Sequence, residues 1–179
     1  HAEHGVPVAL NVGDFLIGEG YRQIAACGLP AERTAEMVRA ATDGHRQLCL
    51  GQGAELGWAR RPEPLDPAAV LDIFRKKTAP AFEVALRLGA LCAGAGAEVG
   101  EVLRRYSEAL GVAYQIRDDL EDFGGGAAAP DDAGALRPSL LLALAHARAE
   151  GTARERTEAL WRRGIAGGGA AAAEAAARA

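Results

Sequence analysis

The sequence predicts an all-α fold, a bundle of long antiparallel helices. No stretch of useful length shows the alternating, β-branched pattern of a strand. Nearly every segment reads as helix, and the four longest spans cover about 20 to 28 residues, roughly 30–42 Å at 1.5 Å per residue. The connections between them are short, which sets consecutive helices antiparallel.

The first helix is expected over 7–26, with Pro7 suited to a first turn and Gly28-Leu29-Pro30 as its stop. The second opens at Pro30-Ala31-Glu32 and runs to about Trp58, where Arg60-Arg61-Pro62-Glu63-Pro64 ends it. In the third, Asp66 is the N-cap and Pro67 the first helical residue. It continues to about Ala93, and Pro80 inside it is expected to kink it or split it in two. The fourth spans 97–123, after Gly94-Ala95-Gly96. Residues 124–134, rich in Gly and Ala, read as a mobile loop. Two shorter helices follow, over about 138–150 and 152–164. The expected organisation is one helical domain over 1–166 and a low-complexity Ala/Gly tail over 167–179.

With 179 residues, 49% apolar and 25% charged, the chain has the size and composition of one ordinary globular domain. A net charge of −4 gives no general electrostatic reason to bind nucleic acid or an anionic membrane. No apolar run reaches transmembrane length. Cys27, Cys49 and Cys92 form no CxxC pair, so they are expected to be buried free thiols in a reducing compartment, the cytoplasm. Because His1 is not Met, the chain is expected to be part of a longer protein.

Several polar residues have no evident task in a plain bundle. Gln115, Asp118, Asp119 and Asp122 fall at i, i+3, i+4 and i+7 of the fourth helix, so they share one face. Such a cluster is either a solvated acidic helix end or a set of hard oxygen ligands for Mg²⁺ carrying a diphosphate. In the third helix, Lys76 and Lys77 are the only lysines of the chain, and Lys77 precedes Thr78 and the Pro80 kink. The pair Lys77-Thr78 suits phosphate, as a point charge beside a short donor, or it is a solvated basic face. The second helix carries Gly51-Gln52-Gly53-Ala54-Glu55. Two glycines there each cost about 1 kcal/mol against Ala, which suggests close approach of a backbone or a ligand. In the first helix, Asp14 sits with Asn11 among apolar residues; it is either a buried hydrogen-bond partner, the favoured reading, or part of a site. His1, Glu3 and His4 make a poor metal cluster at a ragged start.

In order, the chain presents His-x-x-x-Gly at 1–5, Asn11-x-Gly13-Asp14-x-Leu16, Gly51-Gln52-x-x-Glu55, Lys77-Thr78-Ala79, and Gln115-Ile116-x-Asp118-Asp119-x-x-Asp122. This resembles the carboxy-terminal portion of the trans-isoprenyl diphosphate synthases, or polyprenyl synthetases, over residues 1–123. The resemblance implies an isoprenoid synthase-like bundle around a central cavity. It implies a prenyltransferase that condenses an allylic diphosphate with isopentenyl diphosphate, with Mg²⁺ as cofactor, acting as a homodimer. Asp118 then becomes a direct Mg²⁺ ligand, with Asp119 and Asp122 acting partly through water. Lys77 contacts the allylic diphosphate, Thr78 and Gln115 line the reacting centre, and Gln52 sits beside them.

Three departures stand out. The family's first Asp-rich motif and its Arg pair are not in these 179 residues. Glu55 stands where the family usually has Asp. No lysine follows Asp122, so Arg137, in Arg137-Pro138-Ser139-Leu140-Leu141, is the expected replacement cation. The 179 residues by themselves are therefore expected to be inactive, with activity in a longer protein. The alternative is a non-catalytic partner or regulatory subunit that keeps the fold and forms a heterodimer with a complete enzyme. Retention of Lys77, Thr78, Gln115 and the three aspartates argues against it. A terpene cyclase fits less well, because the Lys-Thr and Gly-Gln elements belong to chain elongation.

Overall fold

The computed structural model describes residues 2–123 and 137–163. The segment 124–134 expected as a loop, the tail at 167–179 and His1 lie outside the described residues. The fold is all-α: α1 (Val6–Ala25), α2 (Ala31–Ala59), α3 (Pro67–Cys92), α4 (Ala97–Phe123), α5 (Leu140–Arg148) and α6 (Gly151–Arg163). The expected boundaries hold to within a residue or two for most of these. Asp66 caps α3 as its side chain implies, Oδ1 accepting the Ala69 N–H at 2.7 Å. Pro80 does not split α3, which runs on as one helix through it.

Glycine contacts show how the long helices pair. Gly44 of α2 lies against Pro80 and Val84 of α3, while Gly51 lies against Lys76 and Lys77. Residue numbers rise along α2 as they fall along α3, so the two are antiparallel. Gly111 of α4 meets the backbone of Ala79, near the middle of α3. Without a side chain at these positions the backbones close up, which fixes the helical register at the level of Lys77 and Thr78.

The buried apolar cluster lies where α3 begins and where α5 and α6 cover it. Val70, Phe74, Leu142, Ala143 and Trp161 form its centre, with Trp58, Leu65, Ile116, Leu140 and Leu160 packed around them. Trp58 meets Trp161 edge to face, with ring centroids 5.5 Å apart. Trp58 also donates its indole N–H to the Glu63 carbonyl at 2.8 Å, tying the α2–α3 loop to the end of α2.

Two expectations fail at the periphery. Cys27, Cys49 and Cys92 are free but exposed, not buried. Cys27 lies in the α1–α2 connection and Cys92 ends α3, while Cys49 faces outward from α2. Asp14 is also exposed, because α1 buries none of its residues. Leu10 and Phe15 are 65% and 66% exposed, so the apolar row around Asp14 has no cover among the described residues. The Tyr21 hydroxyl, 2.9 Å from His45 Nδ1, joins α1 to α2.

Candidate functional site

The polar residues singled out in the sequence meet on adjoining faces of α2, α3 and α4. At the α2–α3 contact, a Cβ on Gly51 would stand 2.5 Å from the Lys76 carbonyl carbon and the Lys77 nitrogen. This close approach brings the next turn of α2 within reach of the Lys77 side chain. Lys77 Nζ donates to both oxygens of Glu55, at 2.9 and 2.8 Å. Gln52 Nε2 donates to the same Glu55 Oε1 at 3.3 Å. The ion pair is sheltered, with side chains 21% and 9% exposed for Lys77 and Glu55. Gly53, by contrast, has nothing within 4 Å of where a Cβ would stand, so only one of the two glycines serves a close approach.

The α3–α4 contact repeats the device. A Cβ on Gly111 would stand 2.6 Å from Ala79 Cα, and one turn later Gln115 Nε2 donates to Thr78 Oγ1 at 2.8 Å. Gly51 precedes Glu55 and Gly111 precedes Gln115 by the four residues that put two positions on one helical face. In each case the glycine sets the helix distance and the polar residue uses it. Lys77 and Thr78, adjacent in sequence, thus become the hub between α2 and α4.

The acidic end of α4 divides in two. Asp118 is half-buried, its side chain 38% exposed, and Asp122 is exposed. Asp118 Oδ1 lies 3.5 Å from an Arg117 nitrogen, and Arg117 also reaches Glu121 at 3.4 Å while its guanidinium lies over the Tyr114 ring. Asp119 turns away and is buried. Its Oδ2 accepts the backbone N–H groups of Leu140 and Leu141 at 2.8 and 3.2 Å. The hydroxyl of Ser139 also bonds to it, and Ser139 Oγ in turn accepts the Leu142 N–H at 3.2 Å. Asp119 and Ser139 together satisfy the first amides of α5. Burial pushes the Asp119 carboxyl above its ordinary value; the bonds from Ser139, Leu141 and Leu140 pull it part of the way back.

Of the residues expected in the site, the structure joins Gln52, through Glu55, to Lys77, and Thr78 to Gln115. Arg137, half-buried, lies three residues before the Leu140 amide that Asp119 holds. Among the described residues no three His, Cys, Asp or Glu side chains gather as a metal cluster. His4 reaches only Glu3, at 3.8 Å and exposed. Sequence reasoning missed two roles, Glu55 as the partner of Lys77 and Asp119 with Ser139 as the anchor of α5. The second left a signal, a serine directly before the apolar run Leu140-Leu141-Leu142. A cavity of about 680 Å³ lies at the far end of the bundle, walled by Arg39, Asp43, Glu83, Arg87 and Arg104 among others. None of the residues above lines it.

The comparisons with known proteins converge. Residues 1–166 match the family model of the polyprenyl synthetases. The chain is 29% identical over 142 residues to a geranylfarnesyl diphosphate synthase of Natronomonas pharaonis, covering 79% of this chain and 40% of that protein. It is 31% identical over 131 residues to the farnesyl diphosphate synthase of Escherichia coli, covering 70% of this chain and 43% of that protein. Its fold superposes on a geranylgeranyl pyrophosphate synthetase of Pyrococcus horikoshii with a TM-score of 0.83 at 21% identity, over 97% of this chain and 54% of that one. A polyprenyl synthetase of Streptomyces coelicolor superposes with a TM-score of 0.80 at 25% identity, over 98% of this chain and 55% of that one. The chain spans about 40% of the length of the curated relatives it matches.

Proposed function

The chain belongs to the polyprenyl synthetase family, and from that premise we propose that the protein is a prenyltransferase condensing an allylic diphosphate with isopentenyl diphosphate. The observation that carries the proposal is the Gln115–Thr78 bond at the α3–α4 contact, next in sequence to Lys77 and two turns or less from the acidic end of α4.

Lys77 meets the diphosphate. Its ammonium is a compact charge on a flexible stem, suited to neutralising charge that grows on a leaving diphosphate. Gln52 flanks it from α2 and Arg137 adds a second cation from the segment before α5. Gln115 gives its amide nitrogen to Thr78, which leaves the Oε1 lone pairs for the positive charge that develops on the allylic carbon. The Thr78 hydroxyl, accepting that bond, holds the amide in this orientation. The apolar faces of the long helices exclude water from the cation, so that the isopentenyl double bond attacks it in place of water.

The donor set at the end of α4 fits Mg²⁺, because Asp118 and Asp122 are solvent-accessible carboxylates one turn apart, the hard oxygen type that this ion takes. Mg²⁺ bound there supplies a Lewis-acidic counter-charge to the diphosphate. We assign Asp118 and Asp122 to that role and place Asp119 behind them, its Oδ2 engaged by α5. Homodimeric assembly, implied by the same resemblance, is part of the proposal, and the exposed apolar row of α1 supports it.

The test is diphosphate release from an allylic diphosphate plus isopentenyl diphosphate, with and without Mg²⁺, in the intact protein. Asp118→Ala abolishes release while the helical circular-dichroism signal is kept. Undiminished turnover in that variant refutes the assignment.

A further inference from the structure

Lys77 is already paired. Of its three N–H donors, two go to the two oxygens of Glu55, in a setting where water screens the pair weakly. An incoming diphosphate that needs this ammonium meets a carboxylate of its own sign in place. Gln52 donates to the same carboxylate and can keep it satisfied when the ammonium leaves.

We infer that Glu55 is an internal anion that competes with diphosphate for Lys77, so that capture of substrate is an exchange of Lys77 from Glu55 to the diphosphate. The inference rests on the proposed prenyltransferase reaction for the identity of the ligand and deepens it. Glu55 touches neither substrate nor reacting atoms in this scheme; it is a positioning residue acting through Lys77. Its carboxylate serves two ends. It keeps a sheltered ammonium from standing unpaired before diphosphate arrives, and it weakens the hold on diphosphate, which is also a product that must leave. The length of the side chain sets the balance, because a carboxylate one methylene shorter cannot keep both contacts to Nζ without moving the backbone that Gly51 presses against α3.

Calorimetric titration of inorganic diphosphate, at fixed Mg²⁺, into wild-type protein and into Glu55→Gln tests the exchange. The variant keeps the shape and the hydrogen bond and loses the charge. The expected result is binding about tenfold tighter than wild type, as removal of one nearby like charge implies. In a Lys77→Met background the Glu55→Gln change brings no such gain. Equal or weaker binding by folded Glu55→Gln protein overturns the inference. If that variant does not fold, Glu55→Asp replaces it, with a gain of a few-fold expected and none overturning the inference. Steady-state kinetics give a readout that a purely structural role does not move: in Glu55→Asp the KM for the allylic diphosphate falls without a proportional loss of kcat. The two proposals fail separately. Absence of diphosphate release by wild-type protein sinks the reaction and leaves the affinity comparison readable. Normal turnover with unchanged affinity in the Glu55 variants sinks the exchange alone.

Discussion

Asp119 Oδ2 accepts the backbone N–H of Leu140 at 2.8 Å, across 21 residues of chain. An acidic residue of the expected metal motif thereby holds the first turn of the helix that closes the apolar core. Among the described residues, neither Asp118 nor Asp122 makes such a tie. Asp119→Ala leaves the Leu140 and Leu141 amides without their acceptor in a buried setting and is expected to destabilise the fold by about 2–4 kcal/mol. Asp118→Ala, at a side chain more than a third exposed, is expected to change stability by less than about 1 kcal/mol and to abolish Mg²⁺-dependent turnover. Urea unfolding of both variants separates the roles; equal stability losses refute the division.

The same carboxylate carries a pH signature. Burial first, with a smaller push from Asp122, holds the Asp119 carboxyl above its ordinary value, against the downward pull of Ser139 and the two amides. A carboxyl raised on folding contributes stability that is complete below its unfolded value and is lost as pH rises through its folded value. Asp119→Asn keeps an acceptor and removes the titration. The melting-temperature advantage of wild type over Asp119→Asn is therefore expected to be larger near about pH 4 than near about pH 7. A flat or inverted trend contradicts the burial of this group.

The long helices were legible because proline, glycine and Asp66 mark their ends locally, and those marks do not depend on packing. The grouping of Lys77, Thr78 and Gln115 was legible through a resemblance in motif order. What was hidden depends on rotation and on partners distant in sequence. Asp118 and Asp119 are identical in composition and adjacent, and only the docking of α5 decides which of them is buried. Glu55 lies 22 residues from Lys77, and nothing in either helix alone pairs them.

Thr78 and Gln115 are expected to behave as one unit. The bond between them at 2.8 Å joins α3 to α4 in a half-buried setting, so Thr78→Val removes an acceptor that the amide needs. A double-mutant cycle with Gln115→Ala is expected to give a coupling of about 0.5–1.5 kcal/mol in unfolding free energy. Additive single effects rule the contact out. Either change is expected to lower turnover more than it raises KM, since the amide is proposed to face charge that exists only in the transition state.

Gly51 and Gly53 offer a sharper contrast, because they differ by two residues and by everything around them. A methyl on Gly51 meets the backbone of Lys76 and Lys77 at 2.5 Å, and a backbone between two packed helices has little room to yield. Gly51→Ala is expected to cost about 1–3 kcal/mol through forced separation of α2 and α3. It also displaces the Lys77 backbone, and with it the ammonium proposed to meet the diphosphate, so turnover falls with stability. Gly53 faces open space, where alanine only restricts the unfolded chain and favours helix. Gly53→Ala is expected to stabilise by up to about 1 kcal/mol with turnover unchanged. Thermal unfolding of the two variants checks this directly: the signs must be opposite, and a Gly51→Ala protein as stable as wild type removes the α2–α3 contact on which the placement of Lys77 depends.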